Sequence, residues 1–177
     1  MIKSCRPNQW TKNLIVFAGP FFSFGVERSI WQPSIIAFIC FCLISSSVYL
    51  INDCIDIKAD QKHPTKYKRP IASGLISKNS AVCISIIFLL LVTLISALVN
   101  SYLTLILISY FLIQLAYCIK LKSRPLIDLF CISSGFLLRS ISGLLASELE
   151  LSPWFILSVG LLSLFLAVEK RKAELLI

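Results

Sequence analysis

Between Tyr49 and Gly74 the sequence gathers most of the residues able to do chemistry: Tyr49-Leu-Ile-Asn-Asp-Cys-Ile-Asp-Ile-Lys-Ala-Asp60, running on to His63-Pro-Thr-Lys-Tyr-Lys-Arg-Pro-Ile-Ala-Ser-Gly74. On a helix turning about 100° per residue, with Asn52 as zero, Asp56 falls at about 40°, Asp60 at about 80° and Asp53 at about 100°. Three carboxylates and an amide then share one face, and they require a compensating cation. An all-oxygen donor set without thiol or imidazole suits Mg2+, which keeps several waters and shares substrate phosphates. Asn52, Asp53, Asp56 and Asp60 are therefore the expected metal ligands. The competing reading is a solvated helix end whose acids pair with Lys58 and Lys62. Pro64 and Pro70 forbid a continuous helix onward. Lys66, Lys68 and Arg69 then lie in a loop able to fold back over a phosphorylated ligand, and Lys66 and Arg69 are expected substrate contacts.

A second cluster, Glu169-Lys-Arg-Lys-Ala-Glu174, brings Lys170, Arg171 and Glu174 within about 100° of arc. Basic residues also end many cytoplasmic helices without binding anything, so the cluster alone is a weak signal. Asp128 and Arg139 are eleven residues apart, which returns a helix to nearly the same face roughly 16 Å deeper. An arginine inside an apolar stretch is costly and faces a polar interior or a partner. Arg139 is a candidate catalytic residue, with bonding to neighbouring backbone carbonyls as the structural alternative. Lys120, Lys122 and Arg124, beside Tyr117, either bind phosphate or only set topology. His63 stands alone in the sequence. The seven cysteines form no Cys-x-x-Cys pair and read as small apolar packing residues.

The elements that must position these groups follow from composition. Of 177 residues, 57% are hydrophobic and 15% charged, and the mean hydropathy is +0.85. A soluble domain carries roughly 45–50% apolar and about 25% charged residues, so a soluble enzyme, a disordered tail and a nucleic-acid-binding module are excluded. Five stretches are long enough to cross a bilayer: Trp31–Ile51, Ser80–Val99, Tyr102–Ile119, Leu126–Ala146 and Pro153–Val168. A sixth, Leu14–Phe24, is short and reaches spanning length only if its helix starts near Asn8. A cleaved signal peptide is the lesser reading of that start, since no small-x-small site follows before Glu27. With the N-terminus inside, fifteen of the 17 basic residues fall on the cytoplasmic side, while Arg28, Glu27, Glu148 and Glu150 lie opposite. The expected fold is all-α: a polytopic membrane bundle of about six helices with both ends cytoplasmic.

The residues resemble a family. Asn52-Asp-x-x-Asp56-x-x-x-Asp60 is similar to the first aspartate-rich motif of the UbiA superfamily of intramembrane prenyltransferases. Arg6-Pro-x-Gln-Trp-x-Lys-Asn13, His63-Pro-Thr-Lys-x-x-Arg-Pro-Ile-Ala-Ser-Gly74, Gln114-Leu-Ala-Tyr-Cys118, Leu138-Arg139 and Lys170-Arg-x-Ala-Glu-Leu175 resemble its decaprenyl-phosphate phosphoribosyltransferase branch. Lys-Arg-x-Ala-Glu stands where typical members carry a second aspartate-rich motif. The resemblance implies a nine-helix fold, of which residues 1–177 form a single domain lacking the C-terminal three helices. It implies Mg2+-dependent transfer of 5-phosphoribose from phosphoribosyl diphosphate to a polyprenyl phosphate at a plasma (inner) membrane, with the site facing the cytoplasm. Asp53, Asp56, Arg139 and Glu174 would serve the chemistry. Lys12, Lys66, Arg69, Lys120, Lys170 and Arg171 would bind phosphates. The alternatives are a prenyltransferase moving an isoprenyl group from its diphosphate, and an inactive fragment. The partners expected are the lipid phosphate, the bilayer and a separate chain supplying the missing helices, with no nucleic acid. The 177 residues alone are expected to insert but to turn over little.

Overall fold

Apolar runs of about 20 residues can satisfy their backbone in lipid only as helices, and each such run here is one. The structure, a computed structural model, describes residues 2–24, 27–121 and 125–175, the side chains of 125, 174 and 175 excepted. A 3-10 segment, Pro7–Phe17, runs into α1 (Ala18–Phe22). There follow α2 (Arg28–Ile55), the short α3 (Ile57–Lys62), α4 (Lys78–Ala97), α5 (Ser101–Ile119), α6 (Pro125–Ala146) and α7 (Pro153–Leu175). Among the described residues five helices, α2 and α4 to α7, are long and apolar enough to span a bilayer.

The sixth expected crossing differs from expectation in its winding. It starts at Pro7, close to the Asn8 that spanning length demanded, but most of it is 3-10 and it ends at Phe22. The tighter coil rises about 2.0 Å per residue, so eleven 3-10 and five α residues cover about 30 Å, the thickness of a hydrocarbon core.

The helices alternate in direction, so the 3-10 N-terminus and the ends of α2, α5 and α7 meet the starts of α4 and α6. Small residues draw them together, as they do in bilayers, where no hydrophobic force favours helix–helix contact. Ser47 on α2 and Ser85 on α4 face each other with hydroxyls 2.7 Å apart, and each donates to the other's backbone carbonyl. Gly143 on α6 lets the 3-10 backbone approach so closely that a Cβ there would fall 1.8 Å from the Val16 carbonyl oxygen. Asn100 caps α5 by accepting from the Leu103 amide at 2.8 Å, and its amide donates to the Leu145 carbonyl at 2.8 Å. The core, including Val16, Phe41, Ile44, Leu103, Leu107 and Tyr110, lies between the 3-10 segment, α2 and α5. Leucines and isoleucines of α4, α5 and α7 cover the outer surface. Six of the seven cysteines are buried and all are free, in keeping with packing roles.

Candidate functional site: an acidic wall beside a basic pocket

Asp53 lies in the last turn of α2 and Asp60 in α3. The helix kinks between them at Asp56 (φ −90°, ψ 8°), a break earlier than the prolines required. Four-residue hydrogen bonds nevertheless continue through the kink, from the Asp56 amide to the Asn52 carbonyl (2.9 Å) and from the Asp60 amide to the Asp56 carbonyl (2.8 Å). Asp53 and Asp60 therefore stay on one side, 2% and 4% exposed. The loop after Pro64 does fold back. It is pinned where Gln61 donates to the Ala72 carbonyl at 3.1 Å and where Gly74 takes φ 80°, a turn conformation glycine adopts without strain. That return delivers Arg69, whose Nη1 donates to Asp60 Oδ2 at 2.6 Å and to Asp53 Oδ1 at 3.2 Å. Arg6 Nη2 donates to the same Asp53 oxygen, and its guanidinium lies 4.8 Å over the Tyr49 ring. The competing reading, pairing with Lys58 and Lys62, finds no such pair for Asp53 or Asp60 among the described residues; both lysines are exposed. His63 Nδ1 accepts from the amides of Thr65 and Lys66 at 3.3 and 3.4 Å, so it shapes the turn.

The donors at this wall are oxygens only, the set that Mg2+ takes. Among the described residues no three His, Cys, Asp or Glu side chains stand close enough to cage an ion unaided. That fits an ion held by one or two carboxylates and completed by waters and substrate phosphates. Asn52 and Asp56 are half-buried beside the pair.

Next to the acidic wall opens a cavity of about 490 Å³ lined by Arg6, Gln9, Lys12, Tyr49, Tyr110, Gln114, Tyr117, Arg139 and Lys170, among others. Its described lining holds four cations and no carboxylate. Lys12 lies within Coulombic reach of Lys170, Arg139 and Arg6. Arg139, 6% exposed, is held by neutral groups. Its Nε donates to Asn13 Oδ1 at 2.7 Å, Nη1 to the Gly135 carbonyl at 2.7 Å and Nη2 to the Tyr110 hydroxyl at 2.6 Å. Tyr110 also presents its ring 4.7 Å from the guanidinium carbon. Three of five N–H donors are thereby used, and no carboxylate pairs with it among the described residues. A buried cation satisfied only by neutral dipoles retains most of its attraction for an anion. Gly135 makes room, since a Cβ there would lie 3.0 Å from Gln114 Nε2 and 3.2 Å from Arg139 Nη1.

The expected site residues thus divide. Lys12, Arg139 and Lys170 share the pocket, while Arg69 belongs to the acidic wall. Arg171 turns toward Asp128, with Nη1 3.7 Å from Oδ2 of that 2%-exposed carboxylate. Lys66 is exposed on the short turn Lys66–Lys68, and Lys120 is exposed at the end of α5; neither lines the pocket. The Glu174 side chain, Lys122 and Arg124 lie outside the described residues. Arg6 appeared in the sequence only as a motif position, and the pocket roles of Gln9, Tyr110 and Gln114 were not foreseen. Gln9 and Lys12, three residues apart, form one row only on a 3-10 helix, a winding the sequence does not mark, and Arg6 stands at the cap just before it with φ 52°.

Comparison with known proteins gives the setting. A family model described as the UbiA prenyltransferase family matches residues 14–173. A decaprenyl-phosphate phosphoribosyltransferase of Mycolicibacterium smegmatis is 41% identical over 180 residues, 99% of this chain and 57% of that protein. Its namesake in Corynebacterium glutamicum is 40% identical over 183 residues, 100% of this chain and 55% of that one. The chain thus spans a little over half the length of these curated relatives. A UbiA homologue from Archaeoglobus fulgidus, solved with DMAPP and Mg2+, has the same fold, with a TM-score of 0.77 over 90% of this chain and 58% of its own at 21% identity.

Proposed function

The chain belongs to the UbiA prenyltransferase family, and from that premise we propose that it takes part in phosphoribosyl transfer from phosphoribosyl diphosphate to a polyprenyl phosphate. It is an integral membrane protein, and its site is placed by this reading at the cytoplasmic face of a plasma (inner) membrane. The supporting observation is the pocket with Arg6, Lys12, Arg139 and Lys170 on its walls and no carboxylate in its described lining. Such a pocket suits a ligand with several phosphates. The 41% identical relative bearing the phosphoribosyltransferase name supports this substrate pair over a single prenyl diphosphate.

In the reaction an oxygen of the lipid phosphate bonds to ribose C1 while the bond from C1 to the diphosphate oxygen breaks. Positive charge grows on the ribose and negative charge on the departing diphosphate. Mg2+, held by one or two carboxylates of the Asn52–Asp60 wall, foremost Asp53 and Asp60, would supply Lewis-acid stabilisation of that leaving group. Arg139, fixed by three hydrogen bonds, offers its remaining N–H groups without reorganising, which is worth most in a water-poor site. Lys12 and Lys170 neutralise the other phosphates. A phosphate monoester is already an anionic nucleophile, so no side chain has to remove a proton. Residues 1–177 are read as the first six helices of one nine-helix domain, whose last three, in cis or from a separate chain, close the pocket against lipid.

The test is direct. The protein in lipid nanodiscs, with and without the remaining helices, is given labelled phosphoribosyl diphosphate, a short polyprenyl phosphate and Mg2+. A lipid-soluble labelled product is expected with the complete set of helices and little with residues 1–177 alone. Labelled product only from a prenyl diphosphate and an aromatic acceptor would replace this reading with prenyl transfer.

A further inference from the structure

We propose that Arg69, together with Arg6, is a built-in counter-cation for the Asp53–Asp60 pair, so that a divalent cation enters this site only in company with a diphosphate. This rests on the reading that these carboxylates hold Mg2+. It concerns the order in which metal and phosphate arrive, which that reading leaves open.

Geometry comes first. One nitrogen of Arg69 touches both carboxylates, and Asp53 Oδ1 receives Arg6 as well. The two acids are almost wholly buried, whereas the arginine side chains remain 25% exposed. The Asp53–Asp60 pair and its two guanidinium groups balance to zero charge, and Asp56, half-buried beside them, adds one negative charge. A bare divalent ion would still leave a net positive charge beside Lys12, Arg139 and Lys170, in surroundings that screen charge poorly. It would also push two guanidinium groups off their acceptors with no replacement, and an uncompensated charge near buried surface is strongly disfavoured.

A diphosphate removes both obstacles. It brings two or three negative charges and oxygens suited to the planar arginine fork. Arg6 already spans both places: it pairs with Asp53 and lines the basic cavity. A short swing of its exposed end carries it from carboxylate to phosphate. Arg69, released in the same exchange, leaves one oxygen of each carboxylate to the ion. The guanidinium groups thus act as positioning residues that exchange acid for phosphate partners, and the ion and the diphosphate bind as a unit.

Binding of Mn2+, as a stand-in for Mg2+, tests this without turnover. The full chain in neutral-lipid nanodiscs is dialysed against Mn2+ with or without inorganic diphosphate, and protein-associated Mn2+ is read by electron paramagnetic resonance. The unsubstituted protein is expected to retain Mn2+ at least tenfold more tightly when diphosphate is present. Arg69→Gln is expected to bind Mn2+ alone at least tenfold more tightly than the unsubstituted protein. Arg69→Lys keeps the charge but not the fork and should fall between them, which covers the case in which Arg69→Gln does not fold. Asp53→Asn should bind no Mn2+ under either condition. Equal Mn2+ affinity with and without diphosphate in the unsubstituted protein would overturn the proposal and leave the metal site standing. So would Arg69→Lys and Arg69→Gln matching the unsubstituted protein. Failure of every protein to bind Mn2+, even with diphosphate, would remove the metal reading itself.

Discussion

The acidic wall and the basic pocket share Arg6, yet they handle charge in opposite ways. At the wall, Asp53 and Asp60 find their counter-charges within the chain, in Arg6 and Arg69. In the pocket, Arg139 is held by an amide, a carbonyl and a phenol and meets no carboxylate among the described residues. The first region pairs Asp53 and Asp60 internally, and the described lining of the second offers cations without a carboxylate. Under the proposed reading, affinity for phosphate is concentrated on one side of Arg6, while affinity for a metal is masked on the other.

The largest effect should come from Arg139. Replacing it with Met removes charge-assisted bonds worth about 1.5–3 kcal/mol each, and inorganic diphosphate binding by calorimetry should weaken by about 100-fold. Unchanged affinity in a folded Arg139→Met protein would show that the guanidinium only braces the helices, and the contrast with the wall would disappear. Asp53→Asn comes next. It takes the carboxylate from Arg6 and leaves Arg69 with Asp60 alone, and the expected loss of stability is on the order of 2 kcal/mol, less than for a fully buried pair because the arginines are partly solvated. Thermal melts in detergent measure it; a neutral outcome would mean that the wall is not closed by these pairs.

Gly135→Ala sharpens the comparison from the other side. Its Cβ crowds Gln114 and Arg139, so diphosphate affinity should fall by several-fold, about 1 kcal/mol. Protein-bound Mn2+ measured at saturating diphosphate should be unaltered, because the wall is untouched. The smallest effect belongs to Lys66, exposed and outside both regions. Lys66→Ala should change diphosphate binding and stability by less than about 0.5 kcal/mol. A tenfold loss would mean that the Lys66–Lys68 turn reaches the bound phosphate.

Much of this was legible from residue order. Hydropathy located α2 and α4 to α6 to within four residues at each end and the start of α7, which runs on seven residues past the expected Val168 to Leu175, since the cost of exposing backbone to lipid is local to each run. Asn52 to Asp60 announced an acidic site through helical spacing alone, and Pro64 announced that the chain must turn back. The early kink at Asp56 was not legible, because no glycine or proline marks it. The 3-10 winding of Pro7–Phe17 was hidden as well, since propensity does not separate it from an α-helix, and with it went the row of Gln9 and Lys12 beside Arg6.

What the sequence determined by itself is the membrane bundle, the side on which its basic residues collect and the types of group at the site, all of which depend on runs of neighbouring residues. Only the tertiary structure decided which charge meets which. Arg6 reaches Asp53 across 47 positions and Arg139 reaches Asn13 across 126, and Lys58 and Lys62, though nearer to the acids in sequence, lie on the outside. The physical reason is that an ion pair depends on separation in space, and helix packing, through contacts such as Gly143 against Val16 and Ser47 against Ser85, sets that separation independently of distance along the chain.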